Sequence, residues 1–418
     1  MKKTISTLTL LFVSGLAYCA SILIPMDDQQ KNHLKAYGLA YWSLKKEQEL
    51  SWLLNYRGGS FLVGYNQQTE NELKIRGISY EVIADGKVTT ILTEIADPKV
   101  NMEIVKLEKA PKVAVYSPKS KLPWDDAVTL VLTYAEIPYD VIYDEEILEG
   151  KLPEYDWLHL HHEDFTGQYG RFWANFRMAP WYQQDVKQQE ARAKKLGFNK
   201  VSQMKLEVAK TIKNFCSGGG FLFAMCSGTD SFDIALAAEG IDICEYMFDG
   251  DGADPHAQSK LDYHKSFAFH NFKLDMNPAN YEFSDIDVTQ FRNVERTRDF
   301  FTLFDFSAKW DLIPTILTQN HERVIKGFMG QTTAFKKSLI KPEVLVMGEL
   351  KSSAEARYIH GEIGKGQWTF YGGHDPEDYQ HMVGDPPTDL NLFPNSPGYR
   401  LILNNILFPA AKKKKQKT

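Results

Sequence analysis

The sequence predicts an α/β protein whose larger part is a doubly wound, mostly parallel sheet, preceded by a small N-terminal α/β domain. Three observations predict it. From Lys112 onward, short apolar runs alternate with helix-length amphipathic segments, the pattern of parallel strands joined by crossover helices. The run Phe221 to Met225 is entered from Gly218-Gly219-Gly220 and left through Cys226-Ser227-Gly228, as suits a buried central strand ending in a sharp turn. The chain of 418 residues is long enough for two such units.

Element by element, the chain opens with Lys2 and Lys3, the apolar run Leu8 to Leu16 and small residues at Ala17, Cys19 and Ala20. This reads as an export signal over residues 1–20, which places the mature protein in the periplasm or outside the cell. Ser21 to Pro25 reads as a strand, and Asp27 or Asp28 as the cap of a helix from Gln29 to Lys45. Strand-like Leu50 to Tyr56 and Ser60 to Val63, a helix from Gln67 to Gly77 and a strand from Ser79 to Ile83 complete a unit over residues 21–108. Leu107 to Pro111 is a plausible linker.

The larger domain spans residues 109–410. Its strands are Lys112 to Tyr116, Asp140 to Tyr143 and Asp156 to Leu160, with a helix from Trp124 to Glu136 opened by Asp125-Asp126. A polar and aromatic insertion over residues 163–203 interrupts the alternation. Helix Lys205 to Phe215 then leads into the glycine turn and the Cys226 elbow, where Thr229 or Asp230 caps the next helix, Ser231 to Ala238. Further on, Arg357 to Tyr371 reads as a hairpin, and Tyr399 to Leu407 as the last helix. Residues 411–418 form a basic tail.

Composition excludes several classes. A net charge of −6, spread along the chain, argues against a nucleic-acid binder. No segment after the signal is long and apolar enough to be a transmembrane helix. The mature chain keeps Cys216, Cys226 and Cys244. An odd count leaves at least one thiol free, and a Cys216–Cys244 disulfide would leave Cys226.

Several constellations could carry chemistry. A cysteine at a strand-to-helix joint sits near helix N–H groups that favour a thiolate. A thiol nucleophile also needs an imidazole to take its proton and a carboxylate to orient that imidazole. His374 and Glu377, after the hairpin, suit those roles, although Asp375-Pro376-Glu377-Asp378 is also an ordinary helix start. Backbone groups near Ser227 and Gly228 would face the developing oxyanion.

His159, His161 and His162 precede Glu163 and Asp164 at the end of a strand. On a strand His159 and His161 share a face. With Glu163 they are feasible Zn²⁺ ligands, and His374 could complete the set. No other cofactor is called for. The aromatic insertion, with Trp173 and Trp181, either stacks on a sugar ring or forms a packing face. His161 and His162 would line the same crevice.

The elbow Ala224-Met225-Cys226-Ser227-Gly228, followed far downstream by a hairpin and His374, resembles the class I glutamine amidotransferase-like superfamily. The closing segment Gly364 to Glu377 and the strand Tyr155 to His162 are most similar to its ThuA-like branch. Ala224 stands where the amidotransferases carry glycine, and two residues rather than one separate His374 from Glu377. The whole chain also resembles exported proteins called asparagine synthetase B. The superfamily resemblance implies a flavodoxin-like sheet.

The expected function is an amide or ester hydrolase using Cys226, His374 and Glu377. The alternatives are a non-catalytic protein binding a saccharide or another small molecule, and a metal-dependent hydrolase. The sequence is silent on oligomeric state.

Overall fold

In the computed structural model, which describes residues 20–119, 125–289, 298–327, 330–379 and 382–411, the chain begins with an antiparallel sheet. Its strands are β1 (Ala20–Ile24), β2 (Leu50–Leu54), β3 (Ser60–Gly64), β4 (Glu81–Ala84) and β5 (Glu103–Leu107). They lie in the order β4-β1-β3-β2-β5. Three helices accompany them: α1 (His33–Lys45), α2 (Gln67–Arg76) and α3 (Asp85–Ala96). The cap of α1 is Asn32, whose side chain accepts from Lys35 N, so the helix starts four residues later than the Asp27-Asp28 pair suggests.

The second unit opens with β6 (Val113–Tyr116), α4 (Ala127–Tyr134), β7 (Asp140–Ile142), α5 (Asp144–Leu148) and β8 (Trp157–Leu160). The insertion forms α6 (Trp173–Phe176) and α7 (Pro180–Lys195). Helix α8 (Val201–Gly218) buries Val201, Met204, Val208, Ala209, Ile212 and Cys216. That stripe at helical spacing faces the sheet and leads into β9 (Phe221–Met225) and α9 (Ser227–Ala237). After the short α10 (Tyr246–Asp249) and α11 (Ala257–Lys260) come β10 (Phe300–Leu303), α12 (Leu312–Leu317), β11 (Val324–Lys326), β12 (Phe335–Lys336) and β13 (Leu345–Leu350). The hairpin β14 (Glu355–Ile363) and β15 (Gly366–Tyr371) and the last helix, α13 (Pro397–Leu407), follow.

The expectation of a doubly wound, mostly parallel, flavodoxin-like sheet is corrected here. The second sheet is mixed, in the order β11-β10-β13-β14-β15-β9-β8-β6-β7, with β12 paired to β14. Among the described residues the parallel pairs are β15–β9, β9–β8, β8–β6 and β6–β7. Every pair on the other side of β15 is antiparallel. The physical reason lies in the connections. Parallel strands need crossovers of a dozen or more residues, whereas the turn between β14 and β15 can only return the chain antiparallel. The N-terminal sheet is antiparallel throughout.

One apolar core runs from Ile22, Tyr37 and Trp52 of the first unit to Trp157, Phe223, Tyr371 and Leu403 of the second. Helix α13 is buried all round, as a helix packed between layers must be. Its Arg400 donates from Nη1 to Met26 O at 2.9 Å and from Nε to the Tyr37 hydroxyl at 3.0 Å. Cys216, Cys226 and Cys244 are all buried free thiols, so no disulfide joins Cys216 to Cys244. No helix among the described residues is long and apolar enough to cross a membrane. Residues 1–19 of the expected export signal, Trp124 and residues 412–418 of the basic tail lie outside the described residues.

Candidate metal centre

The carboxyl ends of parallel β6, β8, β9 and β15 open on one side of the sheet. That is where an α/β sheet presents its ligand crevice. Strand β8 ends at Leu160 and delivers His161 and His162; β15 ends at Tyr371 and delivers His374 three residues on. The three rings meet. His161 and His162 stack with centroids 3.7 Å apart, His162 and His374 are 4.0 Å apart, and His161 and His374 4.8 Å. One nitrogen from each lies within 4.8 Å of those of the other two. His161 and His374 are buried, while His162 is partly exposed and gives the cluster its contact with solvent.

The N-terminus of α4 orients this cluster. Asp126 caps the helix, its side chain accepting from Val128 N and Thr129 N. Its other oxygen lies 3.1 Å from His159 Nε2 and 3.1 Å from His161 Nδ1. Burial works against the Asp126 charge, but His159 and His161 outweigh it and hold the carboxyl well below the usual range. His161 Nδ1 faces that carboxylate without meeting hydrogen-bond geometry, and neither of its ring nitrogens has a hydrogen-bond partner among the described residues. His162 Nε2 lies 3.3 Å from Asp125 O. A carbonyl only accepts, so the proton belongs on Nε2 and the lone pair on Nδ1.

His159 has a different task. Its Nε2 faces Asp126 and its Nδ1 lies 3.2 Å from Phe223 O. Both nitrogens face acceptors and the ring ties β8 to β9, while His159 also forms, with His161 and Asp126, a second group of three whose ligand atoms lie within 4.8 Å of one another. Glu163, the other expected ligand, turns the opposite way. Its Oε2 accepts from the Tyr143 hydroxyl at 2.9 Å and lies 3.8 Å from Lys205 Nζ. Burial, opposed by Lys205, lifts its carboxyl to about 7.

Cys226 occupies a strained elbow at φ 49°, ψ −140° and is itself the N-cap of α9. The helix therefore begins at Ser227, not after Thr229 or Asp230. Gly228 fits because a Cβ there would lie 2.6 Å from His161 O. Its N–H donates to that same carbonyl at 2.6 Å, so this donor is spent on joining β8 to α9. The Cys226 thiol is 1 % exposed and donates to Gln331 O at 2.9 Å. Burial pushes it up to about 12, the Ser227 N–H opposes this, and Asp230 and Asp287 add to the rise.

Glu377 lies 3.9 Å from Lys326 Nζ, and its N–H donates to Asp375 Oδ1 at 2.8 Å. No helix starts at Asp375. That side chain is buried and accepts from the Tyr399 hydroxyl at 2.7 Å, which pins the segment to α13. In the insertion, Trp181 packs against Phe172, Phe176 and Tyr182 as part of a satellite core. Trp173 is partly exposed beneath the Arg177 guanidinium, 4.9 Å from its ring centroid.

The residue that sequence reasoning missed is Asp126. An Asp-Asp pair opening a helix reads as capping alone; its second role needs β6 and β8 to be adjacent.

No family model matches the chain, and no curated protein is significantly similar to it. Among solved structures, it is similar to two cytoplasmic proteins of Salmonella typhimurium. STM3548 is 12 % identical with a TM-score of 0.34, the match covering 72 % of this chain and 100 % of that one. STM1381 is 12 % identical with a TM-score of 0.35 and the same coverage. A beta-galactosidase from Bacillus circulans sp. alkalophilus is 11 % identical with a TM-score of 0.23, over 63 % of this chain and 29 % of that one. At these TM-scores none of them carries an argument about function.

Proposed function

We propose that the protein is a metal-dependent hydrolase whose divalent transition metal is held by His161, His162 and His374. The observation that carries this reading is the convergence of three imidazoles, from two strand ends, with His161 Nδ1 3.1 Å from a carboxylate oxygen. Ligating histidines commonly pass their second ring nitrogen to a carboxylate or carbonyl, which sets the tautomer and raises ligand basicity. Asp126 and Asp125 O stand in those two places.

Nitrogen donors suit Zn²⁺, with bonds of about 2.0–2.1 Å, and three protein ligands leave a fourth position for water or substrate. Side-chain rotations that shorten the nitrogen separations to about 3.4 Å would give tetrahedral spacing. A metal held by these three imidazoles would supply Lewis-acid activation of a water for hydrolysis near neutral pH. The Gly372-Gly373-His374 segment, which carries much of the resemblance to the ThuA-like branch, supplies the third imidazole.

The state of Cys226 also favours this reading over a thiol nucleophile. A buried thiol pushed to about 12 and flanked by Asp230 and Asp287 is held far from the thiolate that does the chemistry. Its strained backbone instead sets the angle at which β9 enters α9.

The test is metal binding by the full-length protein, stripped with chelator and titrated with Zn²⁺ or with Co²⁺ as a spectroscopic stand-in. One equivalent should bind, with a tetrahedral Co²⁺ spectrum. Binding should weaken at least a hundredfold in His161→Ala and in His374→Ala. Failure of the unmodified protein to bind, or undiminished binding by both variants, would remove the proposal.

A further inference from the structure

Strand β15 ends at Tyr371, so the place of His374 is set by the two glycines between them. Gly372 N donates to Arg357 O at 2.7 Å, and Gly373 N donates to Thr332 O at 3.0 Å. Both glycines lie against the segment 330–333. A Cβ on Gly372 would come within 2.5 Å of Thr333 O, and a Cβ on Gly330 within 2.9 Å of the His374 Cβ. The backbone that presents His374 therefore follows the position of this neighbouring segment.

Within that segment Thr332 is fully buried and sits at φ 55°. A β-branched residue in the left-handed region is a genuine outlier. Such strain persists only where the surroundings over-determine it, and strained residues cluster at functional sites. Here the surroundings are three hydrogen bonds. Thr332 N donates to Asp287 Oδ2 at 2.8 Å, its Oγ1 donates to Asp230 Oδ1 at 3.0 Å, and its carbonyl accepts from Gly373 N. Asp230 is buried in the first turn of α9, directly after the Cys226 elbow. The Cys226 thiol in turn donates to Gln331 O at 2.9 Å.

Glycine would adopt this φ without strain and would keep both backbone hydrogen bonds. What threonine supplies beyond glycine is the hydroxyl. We propose that Thr332 is a positioning residue for the metal centre: its hydroxyl, anchored on Asp230, fixes the carbonyl that holds Gly373 and so keeps His374 beside His161 and His162. The inference rests on the reading of those three histidines as ligands. It makes the start of α9 the fixed point to which the end of β15 is referred.

The test compares chelator-treated full-length Thr332→Val and Thr332→Ser with the unmodified protein. Valine keeps the branched shape and removes the hydroxyl. Zn²⁺ affinity should fall roughly tenfold in Thr332→Val, the low end of the range for lost outer-shell partners, and the visible Co²⁺ bands should shift. Serine restores the hydroxyl and should restore both. A residue that only stabilises the fold would lower the urea midpoint in Thr332→Val and leave affinity and Co²⁺ spectrum unchanged. That result, or failure of serine to restore them, overturns the proposal. Metal-free protein separates this inference from the ligand reading. There the His374 ring resonances, assigned by their absence in His374→Ala, should move in Thr332→Val and return in Thr332→Ser. If the unmodified protein binds no metal, the ligand reading falls, and resonances that stay in place remove the positioning role as well. If Thr332→Val does not fold, Thr332→Ala takes its place in the same comparison.

Discussion

Asp126 does two things with one carboxylate. It closes the first turn of α4 and orients the imidazoles of His159 and His161. The two roles separate in Asp126→Asn, because asparagine caps a helix about as well as aspartate but brings no charge to His161. The expected outcome is a folded protein, unchanged in its circular dichroism, whose Zn²⁺ affinity has dropped roughly 10–100-fold, the range typical of lost outer-shell partners. An affinity equal to that of the unmodified protein would show that His161 is oriented by something else. Cys226 illustrates the opposite limit at this scale. The strand–Cys–helix pattern placed the elbow correctly, yet the thiol is raised first by burial and then by Asp230 and Asp287, and it donates to Gln331 O, so its state depends on residues remote in sequence.

At the scale of elements, much was legible. Strands β6, β8 and β9, helices α1, α4 and α8, and the hairpin β14–β15 fall close to where periodicity and turn residues put them. The misses share a cause. Helix α3 shows little beyond Ile91 and Ile95 buried on one face, and β10 to β13 lie in a stretch without crossover-length alternation. Burial of α13 was also beyond periodicity, since its Arg400 and Asn404 read as surface residues yet are 0 % exposed. Arg400 gives this element its partner: it satisfies Met26 O and Gly58 O in the first unit. Truncation in Arg400→Ala removes the Gly58 O donor and leaves Met26 O with His33 Nε2 alone, 3.0 Å away, a loss on the order of 3 kcal/mol. Urea unfolding monitored by tryptophan fluorescence should show a midpoint lowered accordingly. An unchanged midpoint would mean that the seam between the units does not rely on this guanidinium.

At the scale of the whole molecule, a buried imidazole meets a half-buried one in the seam between the units. His33 of α1 stacks on His321 with centroids 4.0 Å apart, and Arg400 Nη1 lies 3.2 Å from His321 Nδ1. Burial, then Arg400, lowers His33 to about 4; burial, then His33 and Arg400, lowers His321 to about 3. Both rings are neutral in the folded state, whereas the unfolded chain protonates them from about pH 6.5 downward. The unfolded state therefore binds more protons below that pH, so stability falls as pH drops from about 6.5 through 4. Denaturant midpoints measured at pH 7, 5.5 and 4.5 should decline, and His33→Asn should flatten part of the decline. A midpoint that holds steady or rises toward pH 4.5 would refute this assignment.

What the sequence by itself determined is local: which runs become helices and strands, the sharp turn at Cys226, and the presence of imidazoles at one strand's end. These follow from periodicity, glycine and capping chemistry, all read within a dozen residues. Tertiary structure alone decided the rest. Sheet direction depends on how connections close, so the expected parallel sheet became mixed on one side of β15. Side-chain partners depend on which strand ends meet, so Glu163 turned to Tyr143, His159 to Phe223 O and Asp126, and His374 came to lie beside His161 and His162. Hydrogen bonds and burial couple residues far apart in the chain, and no pattern along the chain records them.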